Sequence, residues 1–132
     1  MWSTHIYIYL DTNAPQVMAR KYKWKVTIDG HAKTAEKAGS TLCGRHQATL
    51  EALAEALTVF RQNCTITIHA EDTWVLHALV NNLEEWEENG YRKKNGEEIR
   101  NRDLWERIRK KTRYQRIAIH TESPGFGRGE FT

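Results

Sequence analysis

Residues 5–10 read HIYIYL, with apolar and polar positions alternating in the period of a half-buried strand, and the strand is expected to end at Asp11-Thr12-Asn13. Pro15 then interrupts the alternation. It returns over 22–28 (YKWKVTI), and Asp29-Gly30 is a hairpin-turn signal leading into a third strand over 31–37. Residues 39–44, bounded by glycines, read as a loop. From 45 to 61 the period lengthens: Ala48, Leu50, Leu53, Ala54, Leu57 and Phe60 form one apolar stripe with no glycine or proline inside it, which predicts a helix. CTITIH over 64–69 predicts a short buried strand. Asp72 is placed to cap a helix over 73–83, continued or restarted around Trp86. A further helix from 101 or 102 to 111 turns Leu104, Trp105 and Ile108 inward, and 115–121 (QRIAIHT) is a last strand. The order β-β-β-α-β-α-(α)-α-β predicts an α/β fold, a mixed sheet with helices packed on it.

The 132 residues set this pattern in one domain over 1–122, followed by a flexible C-terminal tail over 123–132 that holds three glycines and a proline. No apolar run approaches the roughly 20 residues of a membrane span, so a cytoplasmic protein without membrane contact is expected. Cys43 and Cys64 lack CxxC spacing and are expected to be reduced structural thiols. The net charge of +3 conceals an asymmetry. Between residues 91 and 116, eleven Lys or Arg face four acids, so this segment carries +7 and the remainder −4. That is the footprint of a phosphate-binding surface, or of a solvated helix face helped by an i,i+4 pair between Glu106 and Lys110. Of six histidines, His5, His69 and His120 lie on three predicted strands and could approach one another, although zinc would need a fourth ligand.

A resemblance sharpens this. Leu10-Asp11-Thr12 closing the first strand, His46-Gln47-Ala48-Thr49-Leu50-Glu51-Ala52-Leu53, Ala70-Glu71-Asp72-Thr73-Trp74-Val75, and then Trp86, Gly90-Tyr91, Asn101 and Asp103-Leu104-Trp105 fall in the order and spacing of bacterial type 1 ribonuclease H. The chain is similar to that family over roughly residues 5–122. The resemblance implies a ribonuclease H-like mixed five-stranded sheet, the first three strands antiparallel and strands 1, 4 and 5 parallel. It also implies hydrolysis of RNA in an RNA–DNA hybrid by two divalent ions held among converging carboxylates.

Here the family's carboxylates thin out. Asp11 matches the first ligand. The helix position where the family has Glu is Thr49, and Glu51, two residues on, points about 200° away. Glu71 stands at the family's Asp, with Asp72 following it. The last carboxylate normally opens a final helix that is expected to be missing, leaving Glu122 and Glu130 as stand-ins. Asp11, Glu71 and Asp72 are thus the candidate catalytic residues, vestigial or weak, and Asp11 and Glu71 the candidate ligands for loosely held Mg²⁺ or Mn²⁺. For nucleic acid, an RNA–DNA hybrid or double-stranded RNA, the resemblance assigns Arg45, His46 and Gln47 to 2′-hydroxyls, Asn101 to half of a phosphate pocket whose threonine is replaced by Gly44, and Lys93, Lys94, Arg100 and Arg102 to phosphates. The expected function is a nucleic-acid-binding protein with a degraded metal site. The alternatives are an active Mg²⁺-dependent endoribonuclease and a protein-interaction module that forms a homodimer through an uncovered sheet face.

Overall fold

A computed structural model describes residues 2–31, 34–61 and 64–121. The elements run β1 (Trp2–Leu10), β2 (Met18–Ile28), β3 (Ala35–Cys43), α1 (Arg45–Leu57), β4 (Cys64–His69), α2 (Thr73–Asn81), α3 (Leu83–Glu88), α4 (Arg102–Thr112) and β5 (Arg116–His120). The five strands form one sheet in the order β3-β2-β1-β4-β5. β1 pairs antiparallel with β2, which pairs antiparallel with β3, while β1–β4 and β4–β5 are parallel. Each parallel step needs a crossover, and the helices supply it: α1 leads from β3 to β4, and α2 to α4 lead from β4 to β5.

Alternation decides which face is covered. Ile6 and Ile8 of β1 and Ile66 and Ile68 of β4 point into a core shared with Leu50, Leu53 and Leu57 of α1, Val75 and Leu76 of α2, and Trp105 and Ile108 of α4. Glu55 anchors α1 to β2, its two carboxylate oxygens accepting from the Tyr22 hydroxyl (2.8 Å) and the Trp24 indole N–H (3.1 Å). Burial, then the bond to Glu55, push the Tyr22 phenol up to about 12.

The third strand departs from expectation. It runs from Ala35 to Cys43, through the residues read as a loop, because Gly39 lies directly under the Tyr22 ring. A Cβ at Gly39 would stand 2.6 Å from that ring, so the glycine marks a close approach rather than a turn. Gly39→Ala is expected to cost about 1–3 kcal/mol, read as a lower urea midpoint, since the Tyr22 ring is tied by its hydroxyl and cannot swing aside. The helix read over 45–61 ends at Leu57, and the stretch after Asp72 divides at Asn82 into α2 and α3. Glu106 pairs backward with Arg102 rather than forward with Lys110. Cys43 and Cys64 are buried thiols, neither of them in a disulfide among the described residues. Glu122, Glu130 and the tail over 123–132 lie outside the described residues.

The other sheet face carries His5, Tyr7, His69 and His120. Tyr7 and His69 are register partners, as are His69 and His120. Their rings are 4.3 Å and 5.1 Å apart, and His5 Nδ1 lies 3.0 Å from His69 Nε2. Burial, then His5 and His120, lower the His69 pKa from 6.5 to about 4. The fold therefore declines a proton that the unfolded chain accepts. This contribution to stability is complete above pH 6.5 and is lost as pH falls toward 4. Melting temperature should drop between pH 7 and pH 4.5, and by less in His69→Gln.

Candidate functional site

The chain's candidate site residues fall into three neighbouring places. Asp11 continues the β1 ladder, its amide donating to Lys21 O, and it lines a groove with Arg20, Lys21, Ser40 and Thr41. Its Oδ1 is buried and has no hydrogen-bond partner among the described residues. The Asp11 backbone leads into a loop fastened by a residue that sequence reasoning passed over. Arg20 is 2% exposed and donates to the carbonyls of Cys43 (3.1 Å), Thr12 (3.3 Å), Ala14 (2.9 Å) and Gln16 (2.6 Å). The signal was its parity, since Arg20 shares the inner face of β2 with Tyr22, Trp24 and Val26.

Glu71 and Asp72 follow β4 and line a cleft with Leu10, Asn13, Thr49 and Ala70 whose volume is about 10 Å³. That is room for roughly one water. Asp72 is buried and caps α2 by accepting the Val75 amide at 3.2 Å, the expected capping role. Its other oxygen takes His46 Nδ1 at 2.6 Å and lies 3.4 Å from Thr49 Oγ1. Thr49, at the position where a family glutamate would stand, also lies 3.0 Å from Arg45 O. His46 stacks on Trp74, 4.7 Å between ring centroids, and Trp74 is 52% exposed.

Among the described residues, this donor set does not fit a pair of divalent ions. Such a centre needs several ionised oxygens aimed at one volume. Asp72 is engaged at both oxygens, and Thr49 is neutral. Among the described residues no three His, Cys, Asp or Glu side chains converge to hold a metal ion. His5, His69 and His120 do come together as expected, yet they too form no such set, and His5 Nε2 is bonded to Asp29 at 3.2 Å.

The third place is an open hollow of about 650 Å³ between α1 and the loop entering α4. It gathers Gln47, Lys93, Arg100, Asn101 and Arg102. Asn101 adopts the left-handed conformation (φ 62°) at the start of α4, which asparagine tolerates better than most residues. Arg45 and His46 turn instead toward the Asp72 cleft and the β1–β2 loop, with Arg45 Nη1 on Asn13 O at 3.3 Å. Lys94 lies outside the hollow.

Charge is distributed differently from the sequence tally. Glu51, Glu97, Glu98 and Asp103 also line the hollow, so it is not net positive. Lys93 pairs with Glu97, Arg102 with Glu98 and Glu106, and Arg109 and Arg113 with Glu87. α3 carries Glu84, Glu85, Glu87 and Glu88, so the stretch just before the basic segment is acidic. Lys94, Arg100, Arg107, Lys110 and Lys111 are exposed and make no ion pair among the described residues, so these cations face solvent.

A mixed sheet of this order, with carboxylates at the ends of β1 and β4 and a helix start beside them, is the arrangement of a ribonuclease H-like domain. The chain belongs to the RNase H family, whose sequence profile matches residues 4–122. It is 26% identical over 68 residues to the ribonuclease HI of Pasteurella multocida, a match covering 52% of this chain and 44% of that protein. The chain spans about half the length of the curated relatives it matches. Its fold is similar to the crystal structure of LC9-RNase H1, a type 1 RNase H with the type 2 active-site motif (TM-score 0.64, 14% identity, 98% of this chain and 68% of that one). It is also similar to the foamy viral protease-reverse transcriptase in complex with RNA/DNA hybrid (TM-score 0.55, 14% identity, 92% of this chain and 17% of that one).

Proposed function

We propose that this chain is a nucleic-acid-binding member of the RNase H family that holds RNA-containing strands without efficient two-metal hydrolysis. The observation that carries this reading is the meeting of Gln47 from α1 with Arg100 and Asn101 from the loop before α4 at one hollow. Amide side chains there can reach 2′-hydroxyls, and the solvent-facing cations Lys94, Arg100, Arg107, Lys110 and Lys111 supply phosphate attraction. The protein acts in a bacterial cytoplasm on this reading, and no described helix is long and apolar enough to cross a membrane.

Fluorescence anisotropy with a labelled RNA–DNA hybrid, single-stranded RNA and double-stranded DNA, across a salt series, tests this directly. Binding should weaken steadily with salt, and Arg100→Ala should reduce the log–log slope by about 1. Lys110→Glu with Lys111→Glu should weaken binding more than Lys93→Glu, because Lys93 is already paired with Glu97. Absence of binding at low salt would overturn the proposal.

The unpartnered Asp11 Oδ1 favours a second reading, a one-ion hydrolase in which Asp11 and Glu71 hold Mg²⁺ or Mn²⁺ loosely. Hybrid cleavage that requires the metal and disappears in Asp11→Asn would establish it. Self-association has less support. Among the described residues, the sheet face away from the helices presents His5, Tyr7, Lys21, Thr67, His69 and His120 rather than a continuous apolar patch.

A further inference from the structure

His46 has a buried partner, Asp72, that the expected ribose contact would not require. It lies in the first turn of α1, half exposed, with its side chain 39% accessible, while the Asp72 side chain behind it is 2% accessible. The 2.6 Å contact from His46 Nδ1 to Asp72 Oδ2 joins a ring nitrogen to a carboxylate oxygen that can only accept, so the proton resides on Nδ1. Nε2 is then the basic nitrogen, and it has no hydrogen-bond partner among the described residues. Trp74, stacked 4.7 Å away, holds the plane of the imidazole, and Asp72 is itself fixed by the Val75 amide. A ring oriented at one nitrogen by a buried carboxylate and open at the other is the geometry of a general base. Beside it, α1 begins without a side-chain cap, and Arg45 has a buried Nε with no partner among the described residues, so positive groups stand near the same spot.

We infer that His46, oriented by Asp72, is a general base for metal-independent cleavage of RNA by its own 2′-hydroxyl. The inference rests on the RNA-binding reading above. His46 Nε2 takes the 2′-hydroxyl proton, and the 2′-oxygen forms a bond to the adjacent phosphorus. The bond from phosphorus to the 5′-oxygen breaks, that oxygen leaves with its electron pair, and it takes a proton from water. The products are a 2′,3′-cyclic phosphate and a 5′-hydroxyl, with no change of oxidation state. The imidazolium then returns its proton to solvent. The substrate class is single-stranded RNA, since a helical strand holds the 2′-oxygen out of line with the departing oxygen. Asp72 is a positioning residue in this scheme, not a reacting one.

The test uses the full chain in excess EDTA with end-labelled single-stranded RNA, and measures affinity separately on the same oligonucleotide carrying 2′-deoxyribose throughout. Cleavage should persist in EDTA, leave cyclic phosphate ends, and vanish at any linkage whose 2′-hydroxyl is removed. His46→Ala should lower kcat at saturating RNA by at least about 100-fold, with partial recovery on adding imidazole. Asp72→Asn retains Oδ1 for the Val75 amide but offers an N–H to His46 Nδ1, which moves the ring proton to Nε2. It should lower kcat by about 100-fold or more with little change in KM. EDTA-resistant cleavage that is unchanged in His46→Ala would overturn the inference. So would binding without EDTA-resistant cleavage, which leaves the RNA-binding reading standing. Failure to bind either oligonucleotide would remove both.

Discussion

Trp105→Ala is expected to destabilise the protein by about 3–5 kcal/mol, a large part of the total of roughly 5–15 kcal/mol that holds a domain of this size together. Trp105 is fully buried on the inner face of α4, with its ring edge-on to Trp86 at 5.3 Å between centroids, inside the core shared by α1, α2 and the sheet. Its indole N–H has no hydrogen-bond partner among the described residues. The loss would therefore come from the cavity and the lost contacts, with no polar bond involved. Trp105→Phe isolates the effect of volume: it keeps much of the ring and removes the unpartnered N–H, so it should cost distinctly less. Urea unfolding of the two variants beside the parent measures the difference. Equal losses would show that the cavity contributes little.

Arg20→Met should cost about 2–4 kcal/mol for a different reason. Methionine fills much of the same space but donates no hydrogen bonds, leaving four carbonyls, those of Thr12, Ala14, Gln16 and Cys43, without their shared donor. The carbonyls of residues 12–16 can regain water only if the loop lifts from the sheet. Hydrogen exchange over 11–17 should accelerate more than exchange in α1 or β4, and a protease should nick that loop in the variant first. Uniform acceleration would mean that Arg20 supports the fold as a whole rather than the loop beside Asp11.

The strand and helix pattern was largely legible because alternation and the 3.6-residue period are local, and the β1–β4–β5 parallel order follows once the helical crossovers are recognised. The third strand was misread for a physical reason. Glycine scores as a breaker in one dimension, whereas Gly39 is placed by a ring contacting it from the neighbouring strand. The candidate site was legible as a set of residues but not as a set of contacts. His46 and Asp72 are 26 positions apart, and each had a sufficient local explanation, one as a ribose contact and the other as a helix cap. Only the sheet crossover brings them within 2.6 Å. The charge tally misled in the same way. It counted Arg102 as available, although Glu98 and Glu106 stand four residues to either side and take its guanidinium. Arg107 and Lys111 on α4 face solvent, and so does Lys110, whose expected partner Glu106 is taken by Arg102.

The row formed by Trp74, Trp86 and Trp105, with centroids 6.3 Å and 5.3 Å apart, has an optical consequence. Indoles this close exchange excitation among themselves, so light absorbed deep in the core can be emitted from the exposed end of the row. That end, Trp74, lies against His46. Any strand settling there would dim emission from rings it never touches, giving the unlabelled protein an intrinsic fluorescent signal of occupancy.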